Sequence, residues 1–425
     1  MALLGLPVSV SGKTGYFFTS VTDQLTSSMI QNVLQDSRGQ MWIATEFGLN
    51  RFDGYLFTSY FNNLDNKGSL CFNSATTLFN DSEGRLWVGT VKGLDRYDPA
   101  TDSFIHYPSG TDQQPRVNCI MQLRDGRLLV GTAGYGLMVA DHEEQKLLPV
   151  TGLTIPDEDG YWVRMMEDSQ GNLWKSGIGK VVTVKNLKKD SAPRKLVSSK
   201  GIVMDFIERD GEIYLVCQRG ILAYRDGALT DAGIDMSEFG NHELLLNKGF
   251  IDSKGAIYIG TRGNGLFRIK PGGKRLERVT FQSLQIDLDK AKIVSIAEDN
   301  HHNLWVGCQS KGLVVIPAQQ PQFESFSFAM QNRRFGTSVS SVCEGDDGII
   351  WCTVQGNGVF GFDAEGTVVA HPKCPADVEF IYRDCNRDYW LGTDNVLYRY
   401  NPLTGNAESV FTYDCDRMND MTVDK

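Results

Sequence analysis

Asp36-Ser-Arg-Gly-Gln-Met-Trp42-Ile-Ala-Thr45 returns as Asp81-Ser-Glu-Gly-Arg-Leu-Trp87-Val-Gly-Thr90, and this repetition decides the fold. Two further copies follow as Asp168-Ser-Gln-Gly-Asn-Leu-Trp174 and Asp252-Ser-Lys-Gly-Ala-Ile-Tyr258-Ile-Gly-Thr261. Working outward from the aromatic, or the residue standing in for it, gives Trp42, Trp87, Leu129, Trp174, Tyr214, Tyr258, Trp305, Trp351 and Trp390. Their successive spacings are 45, 42, 45, 40, 44, 47, 46 and 39 residues. Six of the seven tryptophans hold this one position, and Trp162 is the exception.

Each part of the repeat has a physical reason. Apolar alternation before the Asp, as in Ile30, Val33 and Leu34, makes a half-buried strand. Asp and Gly three residues apart make a tight hairpin, the carboxylate accepting local N–H groups and the glycine supplying positive φ. The aromatic on the next strand wedges between neighbouring sheets. Gly89, Gly131, Gly260, Gly307 and Gly392 let backbones approach closely near a crowded axis. Gly-Leu pairs such as Gly48-Leu49 and Gly93-Leu94 turn the chain into a third strand, and a fourth follows, as in Ser103-Phe-Ile-His-Tyr107. Four strands in 40–47 residues mark a propeller blade, and no long 3.6-residue period calls for helices. The expected class is all-β: a seven-bladed β-propeller of four-stranded blades plus an incomplete second propeller.

Nine anchors exceed what one ring usually holds. Pro317-Ala-Gln-Gln-Pro321 falls where a seventh blade should start its fourth strand, and proline is poorly tolerated there. Residues 16–20, Tyr-Phe-Phe-Thr-Ser, lie where a preceding fourth strand would fall and are expected to close the ring. The reading is a leader or signal-peptide remnant over 1–15, a first propeller over 16–318, and the start of a second over 322–425. That second part holds two blades and, at 418–423, the first strand of a third, so the chain reads as a fragment of a longer protein. A single open nine-blade array is the alternative.

Composition narrows the function. Of the 425 residues 41% are hydrophobic and 22% charged, as in a soluble protein with a real core, and the net charge of −10 argues against a nucleic-acid partner. No stretch is apolar enough for a spanning helix. Nine scattered cysteines form no CxxC pair, so neither a zinc ribbon nor a thioredoxin-like site is indicated. His301-His302 occupies a hairpin, where a solvated turn is a better reading than a metal site, and Asp157-Glu-Asp-Gly160 lacks the ligand spacing of a calcium loop. The recurring aspartates make turns rather than a paired-carboxylate hydrolase site. No catalytic residue, cofactor or metal site is expected, and the chain is read as a non-enzyme.

The stretch from Leu25 to Gly54 resembles the first copy of the two-component regulator propeller repeat, and Tyr97-Asp-Pro99 and Tyr400-Asn-Pro402 resemble its usual repeat endings. Blades four and five depart from it, with Lys175-Ser-Gly177 and Val216-Cys217 in place of x-Gly-Thr. The resemblance implies a periplasmic sensor of two seven-bladed propellers, followed in the whole protein by an immunoglobulin-like domain, a membrane helix and a histidine kinase. It also implies recognition of glycan-derived oligosaccharides, homodimerisation during signalling, and membrane attachment only through segments beyond this chain. A protein-interaction propeller without a small ligand, and a propeller lyase or glycosidase, are the competing classes.

In a four-stranded blade the turn between the second and third strands opens on the same face as the loop entering the next blade. Those turns carry Glu46, Phe47, Lys92, Tyr135, Arg219, Arg262, Asn264, Lys311, Gln355 and Asn357. Mixed Arg, Asn and aromatic side chains suit the hydroxyls and apolar ring faces of a sugar, and equally a protein surface.

Overall fold

The computed structural model describes residues 19–110, 113–151, 153, 160–189, 192–239, 245–280, 288–319, 338–345, 348–363, 368–371, 373–375 and 377–412. The expected leader, residues 16–18 of the closing strand, Asp157–Asp159 and the strand expected at 418–423 lie outside them. Strands dominate, and the only helical elements among the described residues are three single 3-10 turns. The described residues form nine antiparallel four-stranded sheets in two compact units, divided at residues 322 and 323.

Seven sheets belong to the unit of residues 15–322. Sheet 1 (residues 30–60) shows the plan: Ile30–Gln35, Met41–Thr45, Gly48–Phe52 and Phe57–Tyr60 pair in chain order. Sheets 2 to 6 repeat it over 75–107, 116–149, 164–197, 203–231 and 246–278. Sheet 7 takes three strands from 293–316, and its fourth position is filled by Thr19–Ser20, which pairs with Val314 and Val315. The first strands of neighbouring sheets face one another around an axis, and those of sheets 7 and 1 are neighbours too. There the Val33 N–H donates to Ser295 Oγ at 3.0 Å, and Ile30, Val33, Met41 and Ile43 share a buried cluster with Ala297, Trp305 and Leu313.

The repeated motif closes a local unit. Asp36 Oδ1 accepts the N–H groups of Arg38 and Gln40, both at 2.9 Å, while Oδ2 accepts the Trp42 indole N–H at 2.9 Å. The same indole bond recurs from Trp87 to Asp81, Trp174 to Asp168 and Trp305 to Asp299 at 2.8 Å, and from Trp390 to Asp384 at 3.0 Å. The Asp therefore shapes the hairpin and also satisfies the one polar atom of a buried ring. Burial works to raise the Asp81 carboxyl, but hydrogen bonds from Trp87 and Arg85 outweigh it and hold the group below its ordinary value.

Five of the six repeat tryptophans wedge between sheets as expected: Trp42 packs with Ala75, Leu78 and Val88 of sheet 2, Trp87 with Val117, Ile120 and Val130 of sheet 3, and Trp174, Trp305 and Trp351 likewise. The glycine of x-Gly-Thr has a more specific reason than crowding of backbones at the axis. A Cβ on Gly89 would stand 2.6 Å from Val117 Cγ1, one on Gly260 2.6 Å from Ile293, and one on Gly307 2.6 Å from Ile30. The glycine is a slot for a side chain of the next sheet's first strand. Trp162, the tryptophan outside the repeat, fills the same slot over Gly131, where a Cβ would lie 2.7 Å from its own. Sheet 5 carries Val216 at the slot, and the next first strand answers with Gly249.

The unit ending at 425 contributes two sheets over 339–370 and 380–412, joined by a cluster of Trp351, Val359, Ile381, Leu391 and Tyr400.

Candidate functional site

On one face of the seven-sheet unit, the upper face, the second-to-third-strand turns and the connections between sheets meet. The threonine of Gly-Thr builds each turn: Thr45 Oγ1 donates to the Gly48 carbonyl at 2.9 Å, Thr90 to Gly93 at 3.0 Å, Thr132 to Gly136 at 2.6 Å and Thr261 to Gly265 at 2.8 Å. The glycine after the turn then donates its N–H to the connecting segment, Gly48 to Asn73, Gly93 to Pro115 and Gly312 to Ser28. These glycines take positive φ, 104° at Gly48 and 117° at Gly93, where a side chain would be strained. Turn and connection are thus locked into a single rim.

The structure brings eight of the ten expected side chains onto this rim. Phe47 is 55% exposed, with its ring centroid 5.6 Å from that of Phe61. The Lys92 ammonium sits 4.8 Å above the Phe72 ring. Tyr135 is exposed beside Tyr161, whose residue bridges to Ala133. Glu46, Arg219, Asn264 and Lys311 occupy their turns, the Arg219 N–H bonding the Lys200 carbonyl at 3.0 Å. Arg262 reaches inward, with Nε 3.0 Å from Asn247 Oδ1 and Nη2 3.7 Å from Met204 Sδ. Gln355 and Asn357 belong to the other unit and are not part of this rim.

Sequence reasoning missed the inner ring of charge. Arg116 and Arg164 begin the first strands of sheets 3 and 4, and Lys292 directly precedes that of sheet 7, so all three stand where the axis opens on the upper face. Lys292 bridges to Arg262, and burial together with the Arg262 charge holds its ammonium below the ordinary value. Arg164 donates to the Val163 carbonyl and Arg116 to Asn118 Oδ1. Among the described residues no carboxylate pairs with any of these four cations, on a chain of net charge −10. Sequence reasoning also missed Phe61 and Leu64, exposed on the long connection into sheet 2, and Ile178 on the sheet 4 turn. The length of the 61–74 connection and the basic residue opening two first strands were the available signals.

Residues 24–47 and 69–92 match the two component regulator propeller family. A histidine kinase P4 of Formosa agariphila is 38% identical over 68 residues, 15% of this chain and 5% of that protein. Among solved structures, the extracellular domain of the putative hybrid two component system BT3049 from B. thetaiotaomicron superposes with TM-score 0.64 at 22% identity, over 91% of this chain and 53% of that one. The extracellular domain of the putative one component system BT4673 from the same organism gives 0.57 at 18%, over 93% and 54%. A catalytically inactive virginiamycin B lyase from Staphylococcus aureus with quinupristin gives 0.55 at 13%, over 71% and 98%. The chain thus spans about half the length of the two sensor domains. Among the described residues no helix is long and apolar enough to cross a membrane. The two component regulator propeller repeat is thus matched in its first two copies, the same period continues to Trp390, and the fold is shared with those extracellular domains.

Proposed function

We propose that this chain is the ligand-recognising part of an extracytoplasmic sensor, and that its upper face takes an oligosaccharide carrying acidic groups. The observation that carries the reading is that one face holds both exposed aromatic rings and four cations that no carboxylate among the described residues neutralises. Phe47, Phe61, Tyr135 and Tyr161 offer flat apolar surfaces to sugar rings, and Arg116, Arg164, Arg262 and Lys292 offer donors to carboxylate or sulfate. On a chain of net charge −10 these cations are a local exception, and it is their own field that draws anions to the face. Similarity to extracellular domains of two-component sensors supports the sensor role and a periplasmic site of action.

In this reading the chain performs no catalysis, contacts no nucleic acid, works as a homodimer in the whole protein, and reaches the membrane only through segments outside it. The sheets over 339–370 and 380–412 open a second ring. A second reading, a protein-docking face, draws on the apolar trio Phe47, Phe61 and Leu64, the last 93% exposed.

The test is a thermal-shift series with tetragalacturonate, a sulfated disaccharide and cellotetraose. A dose-dependent rise of several degrees with an acidic sugar alone supports the proposal. A rise with cellotetraose only, or with none of the three, refutes the acidic-glycan assignment.

A further inference from the structure

The repeat supplies its own internal comparison. In sheet 1, Asn50 pins the incoming connection: its Oδ1 accepts the Thr26 N–H at 3.2 Å and the Ser59 hydroxyl at 3.1 Å, and its Nδ2 donates to Thr26 Oγ1 at 2.9 Å. Thr26 also meets Thr45 Oγ1 at 3.2 Å. Sheet 2 keeps this geometry and changes its chemistry. Asp95, fully buried, stands where Asn50 stands; its Oδ2 accepts the Cys71 N–H at 2.8 Å and its Oδ1 lies 2.7 Å from His106 Nδ1. Cys71 replaces Thr26, with Sγ 3.2 Å from Thr90 Oγ1, and His106 replaces Ser59 across the same strand pair. Three neutral pinning residues have become a thiol, a carboxylate and an imidazole. Their ligand atoms lie within 4.8 Å of one another.

We propose that Cys71, Asp95 and His106 form a zinc-binding site that ties the 61–74 connection to sheet 2. Zinc takes sulfur at about 2.3 Å and nitrogen or oxygen at about 2.0–2.2 Å in a tetrahedron, so three atoms this close need only small movements. The Asp95–His106 contact must open by roughly half an ångström to reach tetrahedral ligand separations. His106, with 38% of its side chain exposed, has room for that, and a water completes the fourth position. The mixture of one soft and two borderline-to-hard donors suits zinc rather than calcium or magnesium.

The alternative chemistry, a Cys–His nucleophile, is not supported. Burial pushes the Cys71 thiol up, with the Asp95 charge adding to the rise, so without a cation the sulfur stays protonated and inert. Zinc replaces that proton, which leaves to solvent together with any proton on His106 Nδ1, and the Zn–S, Zn–O and Zn–N bonds form in its place.

The experiment titrates the EDTA-stripped chain with zinc chloride and, for a spectrum, with cobalt(II) chloride. Beside the wild type stand the single variant C71S and the triple variant C71T/D95N/H106S, which restores the sheet 1 set and so keeps the connection pinned. The wild type should retain one zinc per chain, show a thiolate-to-cobalt charge-transfer band, and gain several degrees in Tm with zinc. Both variants should bind at least 100-fold more weakly, and the triple variant should fold normally without metal. Failure of the wild type to retain zinc, or equal retention and spectra in the wild type and the triple variant, overturns the proposal.

Discussion

Replacing Asp168 by asparagine tests whether the repeat works as a closed unit. The Asp168 carboxylate accepts four hydrogen bonds: Oδ1 from the N–H groups of Gln170 at 3.0 Å and Asn172 at 2.8 Å, Oδ2 from the Trp174 indole and Asn172 Nδ2, both at 2.8 Å. Asp168 is 2% exposed and Trp174 fully buried. Asparagine keeps the shape but offers one oxygen, so its amide must turn a donor toward either the two backbone donors or the indole and Asn172. Leaving a buried donor unmade costs about 1–3 kcal/mol, and bonds to a charged acceptor about 1.5–3 kcal/mol. The expected loss for D168N is therefore roughly 2–4 kcal/mol, read as a lower urea midpoint at unchanged slope. In a double-mutant cycle, W174F should remove about 1–2 kcal/mol of that penalty, because the orphaned indole N–H is then gone. A loss below about 0.5 kcal/mol, or an additive double mutant, would refute the idea that the pair stabilises each blade.

The slot glycines make a second prediction. G89A brings a Cβ to 2.6 Å from both Thr77 Cγ2 and Val117 Cγ1, so it should cost about 1–3 kcal/mol by urea unfolding, and V117A should relieve part of that. A third concerns pH. The hydrogen bond and charge of Asp95 hold the His106 imidazolium above the ordinary 6.5 despite opposing burial. In EDTA its contribution is therefore complete below about 6.5 and is lost as pH rises through the higher folded value. Thermal unfolding followed from mildly acid to mildly alkaline pH should show a decline that H106S flattens; parallel curves would contradict it.

Much of this architecture is legible in the sequence because its determinants are local. Asp36 and Trp42 bond across a single hairpin, so the same pair at the same spacing recurs in five of the nine copies and reveals the period. Sheets 4 and 5 depart from the pattern where their slots are filled differently, by Ser176 and Val216, yet they keep their place in the ring. The upper-face turns could be located the same way. What sequence could not supply is radial position. Arg116 and Arg164 look like ordinary strand-opening residues, and only the closing of the ring sets them around one axis. Cys71, Asp95 and His106 are likewise remote in sequence until strand pairing sets Asp95 opposite His106 and the connection delivers Cys71. The expectation that the glycines after the anchor let backbones approach near the axis rested on their recurrence in the repeat; the side chains that Gly89, Gly260 and Gly307 receive come from the next sheet, tens or hundreds of residues away in sequence.

The central claim is that an acidic oligosaccharide binds where Arg262 and Lys292 face the axis. The most direct measurement is isothermal titration of the chain with the acidic sugar that gives the largest thermal shift, comparing wild type with R262A/K292A at low and raised salt. Both side chains are partly or largely exposed, so the variant should fold with nearly unchanged Tm. The account predicts at least a tenfold weaker Kd in the variant and a shallower salt dependence. Equal affinity and equal salt dependence in the two proteins would contradict it.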